Sequence, residues 1–343
     1  MDIAILGGGA SGLCAAISLA RKGYKVTVFE SKARIGQKIL LTGNGRCNLT
    51  NLNLSSKNYH SNRPDIVEKI ISQNVLEFFK SIGLYTRSKD GLVYPLSNKA
   101  SSVLDLLRTA LAKHKVEIVT EYNGLPNKPL IIATGLKANN GTDSGLKILK
   151  NFGHKIIEPY PALVQLKSDD AFLKGLKGVK FNGSVKVRQG NNILREEHGE
   201  ILITDYGLSG IAVMQVSYLF SLYKDCTLEL DLVPDMSREE LAEYQKNFCN
   251  LIGLVEKKLS ERILKHNADM KSITVNITGH NGFKNAQVCG GGASLDDFNE
   301  KTLESRHTKG LYAIGEVLDV VGDCGGYNLH WAFASALYVS ESL

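Results

Sequence analysis

The sequence of 343 residues predicts an α/β fold, with a parallel sheet built from both ends of the chain and an antiparallel, β-rich segment between them. Three observations support this prediction. The first thirty residues alternate strand, glycine turn, helix and strand. A buried apolar strand followed by a helix returns near the C terminus. Between Ala162 and Asp231, short alternating strands are separated by glycine turns, which is typical of antiparallel sheets.

The N-terminal glycines form a dinucleotide-binding pattern. The apolar strand Asp2–Leu6 is followed by Gly7, Gly9 and Gly12, and an apolar helix then runs to Lys22. Gly7 provides a tight turn, Gly9 allows a pyrophosphate to approach the backbone, and Gly12 allows the helix to pack closely on the strand. The phosphates would bind to the free N–H groups at the helix N terminus.

Glu30 ends the second strand and lies 18 residues after Gly12. A carboxylate at this place can accept hydrogen bonds from the hydroxyls of a ribose, and it would repel the 2′-phosphate of NADP. The N-terminal pattern therefore predicts that the chain binds an ADP-containing dinucleotide other than NADP.

Composition and charge restrict the class of protein. The chain is 43% hydrophobic and 22% charged, and its net charge of +6 is spread along the sequence rather than collected in a basic arm. We therefore expect neither a nucleic-acid partner nor a membrane partner, and no apolar stretch is long enough to span a bilayer. The six cysteines are far apart and include no C-x-x-C, so we expect reduced thiols, a cytoplasmic protein and no metal site.

The first half of the chain continues with a polar loop and then with alternating helices and strands. The loop at 34–52 combines glycines, asparagines and basic residues, which suits a polar ligand. Ser101 or Ser102 is the predicted N-cap of one helix. The predicted elements are a helix at 64–83, a helix at Ser101–Lys113, a strand at Val116–Thr120, a strand at Leu130–Gly135 and a helix at 144–153.

After Pro159 and Pro161 the pattern changes to short strands. Ser237 followed by Glu240 is a capping box and predicts the start of a helix. The predicted helices are Gly210–Leu222 and 237–265. The predicted strands are Leu163–Leu166, Val185–Val187, Leu194–Glu197, Glu200–Thr204, Thr227–Leu232, Ser272–Thr278 and Ala286–Cys289, with a turn at Gly290–Gly292.

The C-terminal segment supplies a second glycine turn and a second helix. A buried strand from Gly310 ends in Gly315 and Glu316, and the turn Gly325–Asn328 leads into a helix that starts at about Leu329. Free amides at that helix N terminus favour an anion, and the N1–C2=O edge of a reduced flavin is one. FAD is long enough to reach from the first helix to the second, whereas NAD would not need the second site.

With these motifs the chain resembles a known family, the bacterial BaiN/YhiN-like flavoproteins, which are also described as aminoacetone-oxidase-like FAD-binding enzymes. The resembling blocks come in the family's order and cover almost the whole chain. Gly-Arg-Cys-Asn and Gly-Gly-Tyr-Asn-Leu are highly specific. The blocks are Gly7–Gly12, residues 36–51 with Gly-Arg-Cys-Asn at 45–48, Gly199–Gly210, Gly290–Ser294, and residues 315–332 with Gly-Gly-Tyr-Asn-Leu at 325–329.

The resemblance implies a Rossmann-like FAD-binding domain of the two-part GR2 type, with an inserted antiparallel β-barrel-like domain that carries a small helical piece. The implied domains are 1–160 and 293–343 for the two parts of the FAD-binding domain, 161–234 and 271–292 for the inserted β-rich substrate domain, and 235–270 for the helical piece. Leu136 departs from the family's Ala-Thr-Gly-Gly, and the segment before Leu130 and the helical piece are both short.

The glycine pattern and the resemblance together assign residues to the two ends of FAD. The residues expected at the ADP half are Gly7, Gly9, Ala10, Ser11, Gly12, Glu30 and Ser31. The residues expected nearer the ribityl chain and the isoalloxazine ring are Lys38, Gly43, Asn44, Gly45, Arg46, Cys47, Thr134, Gly135, Gly315, Glu316, Asp319, Gly326, Tyr327, Asn328 and Leu329.

The implied activity is oxidation or reduction of a small organic substrate by hydride transfer to or from flavin N5, with NAD(P)H or oxygen as candidate redox partner. Because flavin performs the chemistry, no catalytic residue is required by the sequence. The candidates are His330, Cys47, Cys324 and Arg46, and each has a structural role as its alternative. Two other functions stay open: a flavin-binding protein without turnover, and an NAD-dependent dehydrogenase.

Overall fold

The computed structural model describes residues 2–127 and 129–343. They divide into two compact units. The first unit combines the chain up to Pro159 with Val288–Leu343, and the second unit is the continuous segment Tyr160–Gln287. The first unit is therefore assembled from both ends of the chain, and it resumes at Val288.

A parallel sheet is the frame of the first unit. The apolar side chains of Leu130, Ile131 and Ile132 are all buried, as expected for a parallel strand that is covered on both faces. Each neighbouring pair of strands is parallel, so the α/β prediction is confirmed. Within the described residues, the strand order is Leu311–Ala313, Leu130–Ile132, Asp2–Leu6, Lys25–Phe29 and Glu117–Val119.

The helices of the first unit differ in two places from the prediction. The single helix at 64–83 is two helices, because Asn74 caps the second one by accepting a hydrogen bond from the Glu77 amide. Ser101 and Ser102 are not the N-cap, because their helix already begins at Ala100. The helices are Ala10–Arg21, Pro64–Ile71, Val75–Ser81, Ala100–Lys113, Ser144–Asn151 and Tyr327–Ser342.

Short sheets and single turns complete the first unit. The predicted turn at Gly290–Gly292 is wrong, because these glycines lie inside the strand Val288–Ala293. A Cβ on Gly291 would lie 2.6 Å from the Glu158 carbonyl oxygen, so glycine allows a close backbone approach here. The paired strands are Ile156–Ala162 with Val288–Ala293, Tyr59–His60 with Val321–Gly322, and Leu92–Pro95 with Thr50–Asn51 and Thr86–Lys89. The 3₁₀ turns are Ile39–Gly45, Ser56–Asn58, Leu295–Asp297 and Gly315–Val317.

The second unit is built on an antiparallel sheet. Its edge strands Ile273–Val275 and Gly279–His280 are joined by only three residues, although they lie at opposite ends of the strand order. A flat sheet of this size would hold its edges roughly 29 Å apart, at about 4.8 Å per strand, so the sheet has to curl into a barrel-like shape. In the described part of this unit, the order is Ile273–Val275, Cys226–Asp231, Lys180–Gln189, Asn192–Ile203, Gly207–Ser209, Leu166–Lys167 and Gly279–His280.

The helix Ile211–Val216 packs on this sheet, and the second unit has four further helices among its described residues. The predicted capping box is confirmed, since Ser237 and Glu240 each bond to the other's backbone amide. The predicted single helix at 237–265 is wrong. It is interrupted by a segment in which Leu251 is buried and its amide donates to Ser260 Oγ at 3.1 Å. The helices are Ile211–Val216, Leu219–Leu222, Arg238–Asn247, Lys257–His266 and Gly282–Asn285.

The helices in the described part of the chain include none with both the length and the apolar character that a membrane crossing requires.

Candidate functional site

The N-terminal glycine turn has the geometry that its sequence predicts. Gly7 has φ of +115°, and its N–H donates to the Phe29 carbonyl at 2.8 Å. A Cβ on Gly12 would lie 1.9 Å from the Gly7 carbonyl oxygen, so only glycine fits at this helix–strand contact. A Cβ on Gly9 would meet no described atom within 4 Å. Gly9 therefore borders open space in front of the helix that begins at Ala10.

The first turn of this helix offers unpaired donors to that space. The N–H groups of Ala10, Ser11 and Gly12 have no carbonyl partner within the helix, because the residues four positions earlier lie outside it. No acidic side chain lies in the described first turn. The helix dipole adds partial positive charge at the same place. The open cradle at Gly9 and these amides fit a phosphate group.

The end of the C-terminal strand packs directly on this turn. Gly315 has φ of +73°, and a Cβ there would lie 2.6 Å from Ser11 Oγ. The Gly315 amide donates to Ser335 Oγ at 2.9 Å, and its carbonyl accepts from Trp331 Nε1 at 3.0 Å. The fold therefore brings together Ser11 and Gly315, which belong to opposite ends of the chain.

Glu30 lies at the turn but already has backbone partners. Its Oε2 accepts from the Gly8 amide at 2.8 Å, and its Oε1 accepts from the Lys32 amide at 2.9 Å and from Ser31 Oγ at 3.2 Å. These bonds hold the carboxylate against the glycine turn. The side chain is half-buried, so its remaining acceptor capacity faces the same edge of the sheet.

Glu316 connects four segments that are distant in sequence. Its Oε2 accepts from Lys38 Nζ at 2.8 Å and from the Leu136 amide at 3.3 Å, and its Oε1 accepts from the Cys289 amide at 3.0 Å. A Cβ on Gly135 would lie 3.3 Å from Oε2, so this strand end is also in contact. The arrangement gives Glu316 the geometry of an internal anchor. Sequence reasoning missed the two amides, because only the tertiary structure brings a backbone N–H to a side chain.

The loop between Thr42 and Asn48 has a strained backbone. Residues 43–45 all have positive φ, between +53° and +78°. This conformation costs conformational energy at Asn44, because Asn44 carries a side chain and the two glycines do not. Arg46 Nε donates to the Gly43 carbonyl at 3.2 Å, and its guanidinium lies 5.1 Å from the centre of the Tyr94 ring. Arg46 is exposed, so its charge is accessible from solvent.

The C-terminal helix begins at Tyr327, before the predicted Leu329. Its N-cap, Gly326, has φ of +96°, and a Cβ there would lie 2.6 Å from the Thr50 carbonyl oxygen. The amides of Tyr327, Asn328 and Leu329 therefore occupy a first turn and have no intrahelical acceptor.

The Asn328 side chain fixes the approach to this helix. Its Oδ1 accepts from the Gly322 amide at 2.8 Å, and its Nδ2 donates to the Gly322 carbonyl at 2.7 Å. Burial raises the pKa of Asp319 to about 6, and the Asp319 amide donates to the Ala293 carbonyl at 2.9 Å.

Of the predicted histidine and thiol candidates, His330 and Cys47 are buried and Cys324 is half-buried. His330 is 2% exposed, with Nδ1 at 2.7 Å from Thr50 Oγ1 and Nε2 at 2.8 Å from the Ile71 carbonyl. Burial lowers its pKa to about 4, so it is neutral near pH 7. Burial also raises the pKa of Cys47 to about 11 and raises the pKa of Cys324, which disfavours a reactive thiolate at either position.

Comparison with known proteins identifies relatives along the whole chain. A family model described as the HI0933-like protein Rossmann domain matches residues 1–126 and 119–342. The 3-dehydro-bile acid delta(4,6)-reductase of Clostridium scindens is 38% identical over 397 aligned positions, which cover 97% of this chain and 96% of the relative. Because 397 exceeds the 343 residues of this chain, the chain lacks segments that the relative has.

Two further relatives carry a different name. The ribosomal RNA dihydrouridine synthase of Haemophilus influenzae is 29% identical over 99% of this chain and 97% of the relative, and that of Escherichia coli is 26% identical over 100% and 98%. Among solved structures, the 3-ketosteroid-delta4-(5alpha)-dehydrogenase of Rhodococcus jostii RHA1 aligns with a TM-score of 0.53 at 12% identity, over 99% of this chain and 96% of that chain. This likeness shows a shared fold.

Proposed function

Because the chain belongs to the HI0933-like Rossmann family, we propose that it is an FAD-dependent oxidoreductase, the class of enzyme that its motifs indicate. Its reaction would be the reduction of a carbon–carbon double bond conjugated to a carbonyl group. The observation that carries the proposal is the open space at Gly9 beside the first-turn amides. The positive end of the helix dipole and the first-turn amides suit an anionic pyrophosphate at this place.

The chain has residues suited to both ends of FAD. The pyrophosphate would be held by the amides of Ala10 and Ser11, and a ribose by the free acceptor capacity of Glu30. The amides of the second helix start, at Tyr327–Leu329, would stabilise negative charge on the flavin. These residues all belong to the first structural unit.

When bound and reduced by a two-electron donor such as NADH or NADPH, the flavin would supply a hydride from N5. The residues of the chain provide position and electrostatics. Arg46, an exposed cation in the strained loop, would orient the carbonyl or carboxylate of a substrate. His330 and Cys47 would contribute packing, because His330 already pairs both ring nitrogens and the Cys47 thiol is buried.

The substrate class follows from what the relatives' names have in common. A 3-dehydro bile acid with delta(4,6) unsaturation is a conjugated dienone, and the double bond lost in forming dihydrouridine is conjugated to a ring carbonyl. Both reactions add hydride and proton to an alkene that a carbonyl polarises. The bile acid reductase has the higher identity of these relatives, 38% against 29%, and favours a small-molecule enone for this chain.

A uridine base in RNA is the second candidate substrate. Two relatives that align over almost their whole length, 97% and 98%, bear the name of ribosomal RNA dihydrouridine synthase. The net charge of +6 is compatible with a polyanion. The charges are dispersed, however, and this keeps the small enone as the first candidate.

The test uses the full chain reconstituted with FAD. Flavin is reduced anaerobically with NADH, NADPH or dithionite, and a 4-en-3-one steroid or a uridine-containing RNA is then added without oxygen. We expect the enone to reoxidise the flavin and to gain two hydrogens, as measured by absorbance and mass spectrometry.

Other outcomes of the same experiment would support one of the alternative functions. Colourless protein that binds NAD and takes up no FAD would remove the flavin proposal. Flavin that is reduced but reoxidised only by oxygen would indicate an oxidase. Reoxidation by the RNA and not by the steroid would indicate that uridine in RNA is the substrate. Flavin that no reagent reduces would indicate a binding protein without turnover.

A further inference from the structure

A cluster of two histidines and one carboxylate lies in the first unit, among residues to which neither the proposed cofactor nor the proposed reaction gives a role. His154 follows the helix Ser144–Asn151, Asp297 ends the 3₁₀ turn Leu295–Asp297, and His307 precedes the strand that starts at Leu311. One ligand atom from each of the three side chains lies within 4.8 Å of the other two.

The buried member of the cluster has an unpaired nitrogen. The His154 side chain is 0% exposed and stacks on Phe298 at 4.6 Å between ring centres. Its Nε2 lies 2.8 Å from Ser305 Oγ, whereas Nδ1 has no hydrogen-bond partner among the described atoms. Nδ1 lies 4.0 Å from Asp297 Oδ2, too far for a hydrogen bond. A buried nitrogen of this kind costs free energy unless something binds it.

The ligand atoms of the three side chains are separated by distances that small side-chain rotations could shorten to those of a metal site. In a tetrahedral site with bonds of about 2.0–2.1 Å, neighbouring ligand atoms lie roughly 3.3 Å apart. The distance from His307 Nε2 to Asp297 Oδ1 is already 3.3 Å, and His307 is 39% exposed, so it can rotate toward His154. Ser305 Oγ lies 2.8 Å from Nε2 of His154 and also accepts from the amides of His307 and Thr308 at 3.1 and 3.0 Å. A metal on Nδ1 would leave the ring proton on Nε2, which would then donate a hydrogen bond to Ser305 Oγ, as the second nitrogen of metal-bound histidines does.

We propose that His154, Asp297 and His307 form a binding site for a divalent transition-metal ion, with zinc as the ion that fits best. Two imidazoles and one carboxylate are ligands that Zn²⁺ accepts, and water would complete its coordination from the exposed side. The sequence predicts no such site, because the three residues have no recognisable spacing. The site would join residue 154, from the N-terminal part of the first unit, to residues 297 and 307 of the C-terminal part.

The test uses the full chain stripped with EDTA and then exposed to Zn²⁺ alone. We expect one equivalent to remain after gel filtration, as measured by elemental analysis, and the Tm to rise by a few degrees. In His307→Gln the retained zinc and the Tm rise should both be lost. His198→Gln, a change at an exposed histidine outside the cluster, should retain both.

Further variants and a second metal distinguish the loss of zinc binding from misfolding of the variant. His307→Gln must have the Tm of the metal-free parent, and Asp297→Asn provides an independent variant in which binding should weaken roughly tenfold or more. Replacement of zinc by Co²⁺ should give visible bands of nitrogen and oxygen ligation. The proposal fails if His307→Gln retains as much zinc as the parent, if no equivalent is retained, or if Co²⁺ shows a charge-transfer band from a cysteine thiolate.

Discussion

At the residue scale, Gly12 and Gly9 of the N-terminal turn differ in how much room a side chain would have. Gly12 is required by the fold, since its Cβ would overlap the Gly7 carbonyl oxygen at 1.9 Å. Gly9 is not required by the fold, because no described atom lies within 4 Å of the position of its Cβ. Its φ of −88° is also accessible to alanine. The proposed pyrophosphate would provide the physical reason for glycine at position 9.

This difference gives the first prediction. Gly9→Ala should leave the free energy of unfolding of the flavin-free protein within about 1 kcal/mol of the parent and should weaken FAD binding roughly tenfold or more. Gly12→Ala should destabilise the flavin-free protein itself, by about 1–3 kcal/mol. Urea unfolding and FAD titration measure the two effects. Equal FAD affinity in Gly9→Ala and the parent would contradict a pyrophosphate at this turn.

His330 shows how burial decides the role of a titratable residue. Both of its nitrogens have partners inside the protein, and burial lowers its pKa from 6.5 to about 4. The unfolded chain therefore binds a proton at higher pH than the folded chain does. The stability that neutral His330 contributes is complete above pH 6.5 and is lost as the pH falls from 6.5 toward 4.

The second prediction isolates this contribution. The difference in free energy of unfolding between the parent and His330→Gln should be largest above pH 6.5 and should shrink by up to about 3 kcal/mol on acidification to pH 4. Comparison with His198→Gln, at an exposed position, controls for general acid effects. Chemical denaturation at several pH values measures the difference, and a constant difference across this range would refute the buried, neutral state.

At the element scale, two helix starts that both have a serine nearby differ in whether a side chain caps the first-turn amides. Ser237 accepts from the Glu240 amide at 3.1 Å, and Glu240 Oε2 accepts from the Ser237 amide at 2.7 Å. At the helix Ala100–Lys113 a serine follows the start, but the N-cap is Lys99, and within the described residues it makes no side-chain capping bond. Two serines that look alike in sequence therefore have different roles.

The third prediction compares these two serines. Ser237→Ala should lower the free energy of unfolding by about 0.5–2 kcal/mol, because it leaves first-turn donors without an acceptor. Ser101→Ala should change it by less than about 0.5 kcal/mol, since it removes no cap. Thermal and urea unfolding measure both changes. A larger loss in Ser101→Ala than in Ser237→Ala would contradict the capping assignment.

At the scale of the whole molecule, the first unit has to join two parts of the chain that are separated by the second unit. Pairing of Leu311–Ala313 with Leu130–Ile132 provides the backbone connection. Glu316 provides a polar one, because its two oxygens bind the amides of Leu136 and Cys289 as well as Lys38. The amide bonds dominate this contribution, since the Lys38 side chain is 37% exposed and its ion pair is screened by solvent.

The fourth prediction separates the two kinds of bond. Glu316→Gln turns one acceptor into a donor that faces a backbone N–H, and it should destabilise the flavin-free protein by about 1–3 kcal/mol. Lys38→Met removes only the ion pair and should cost less than about 1 kcal/mol. Urea unfolding at low and high salt measures both variants. An equal cost for the two would mean that the ion pair, rather than the amides, holds Glu316.

Prediction from sequence succeeded where local chemistry decides the outcome. The strand–glycine–helix pattern at Gly7–Gly12, the capping box at Ser237 and the α/β class were confirmed, since each depends on neighbouring residues. The turn at Gly290–Gly292 and the long helix at 237–265 were wrong, because a paired strand and a buried Leu251 overrode the local pattern. The assignments of individual residues to FAD stay predictions.

The sequence by itself determined the family of this chain and predicted FAD as its cofactor, because the glycine turns and the specific blocks appear in the family's order. Only the tertiary structure decided which of these positions face open space and which are filled. It also grouped His154 with Asp297 and His307, and it enclosed His330 and Cys47. The physical reason is that burial and the pairing of distant groups arise from packing, and no spacing along the chain encodes them.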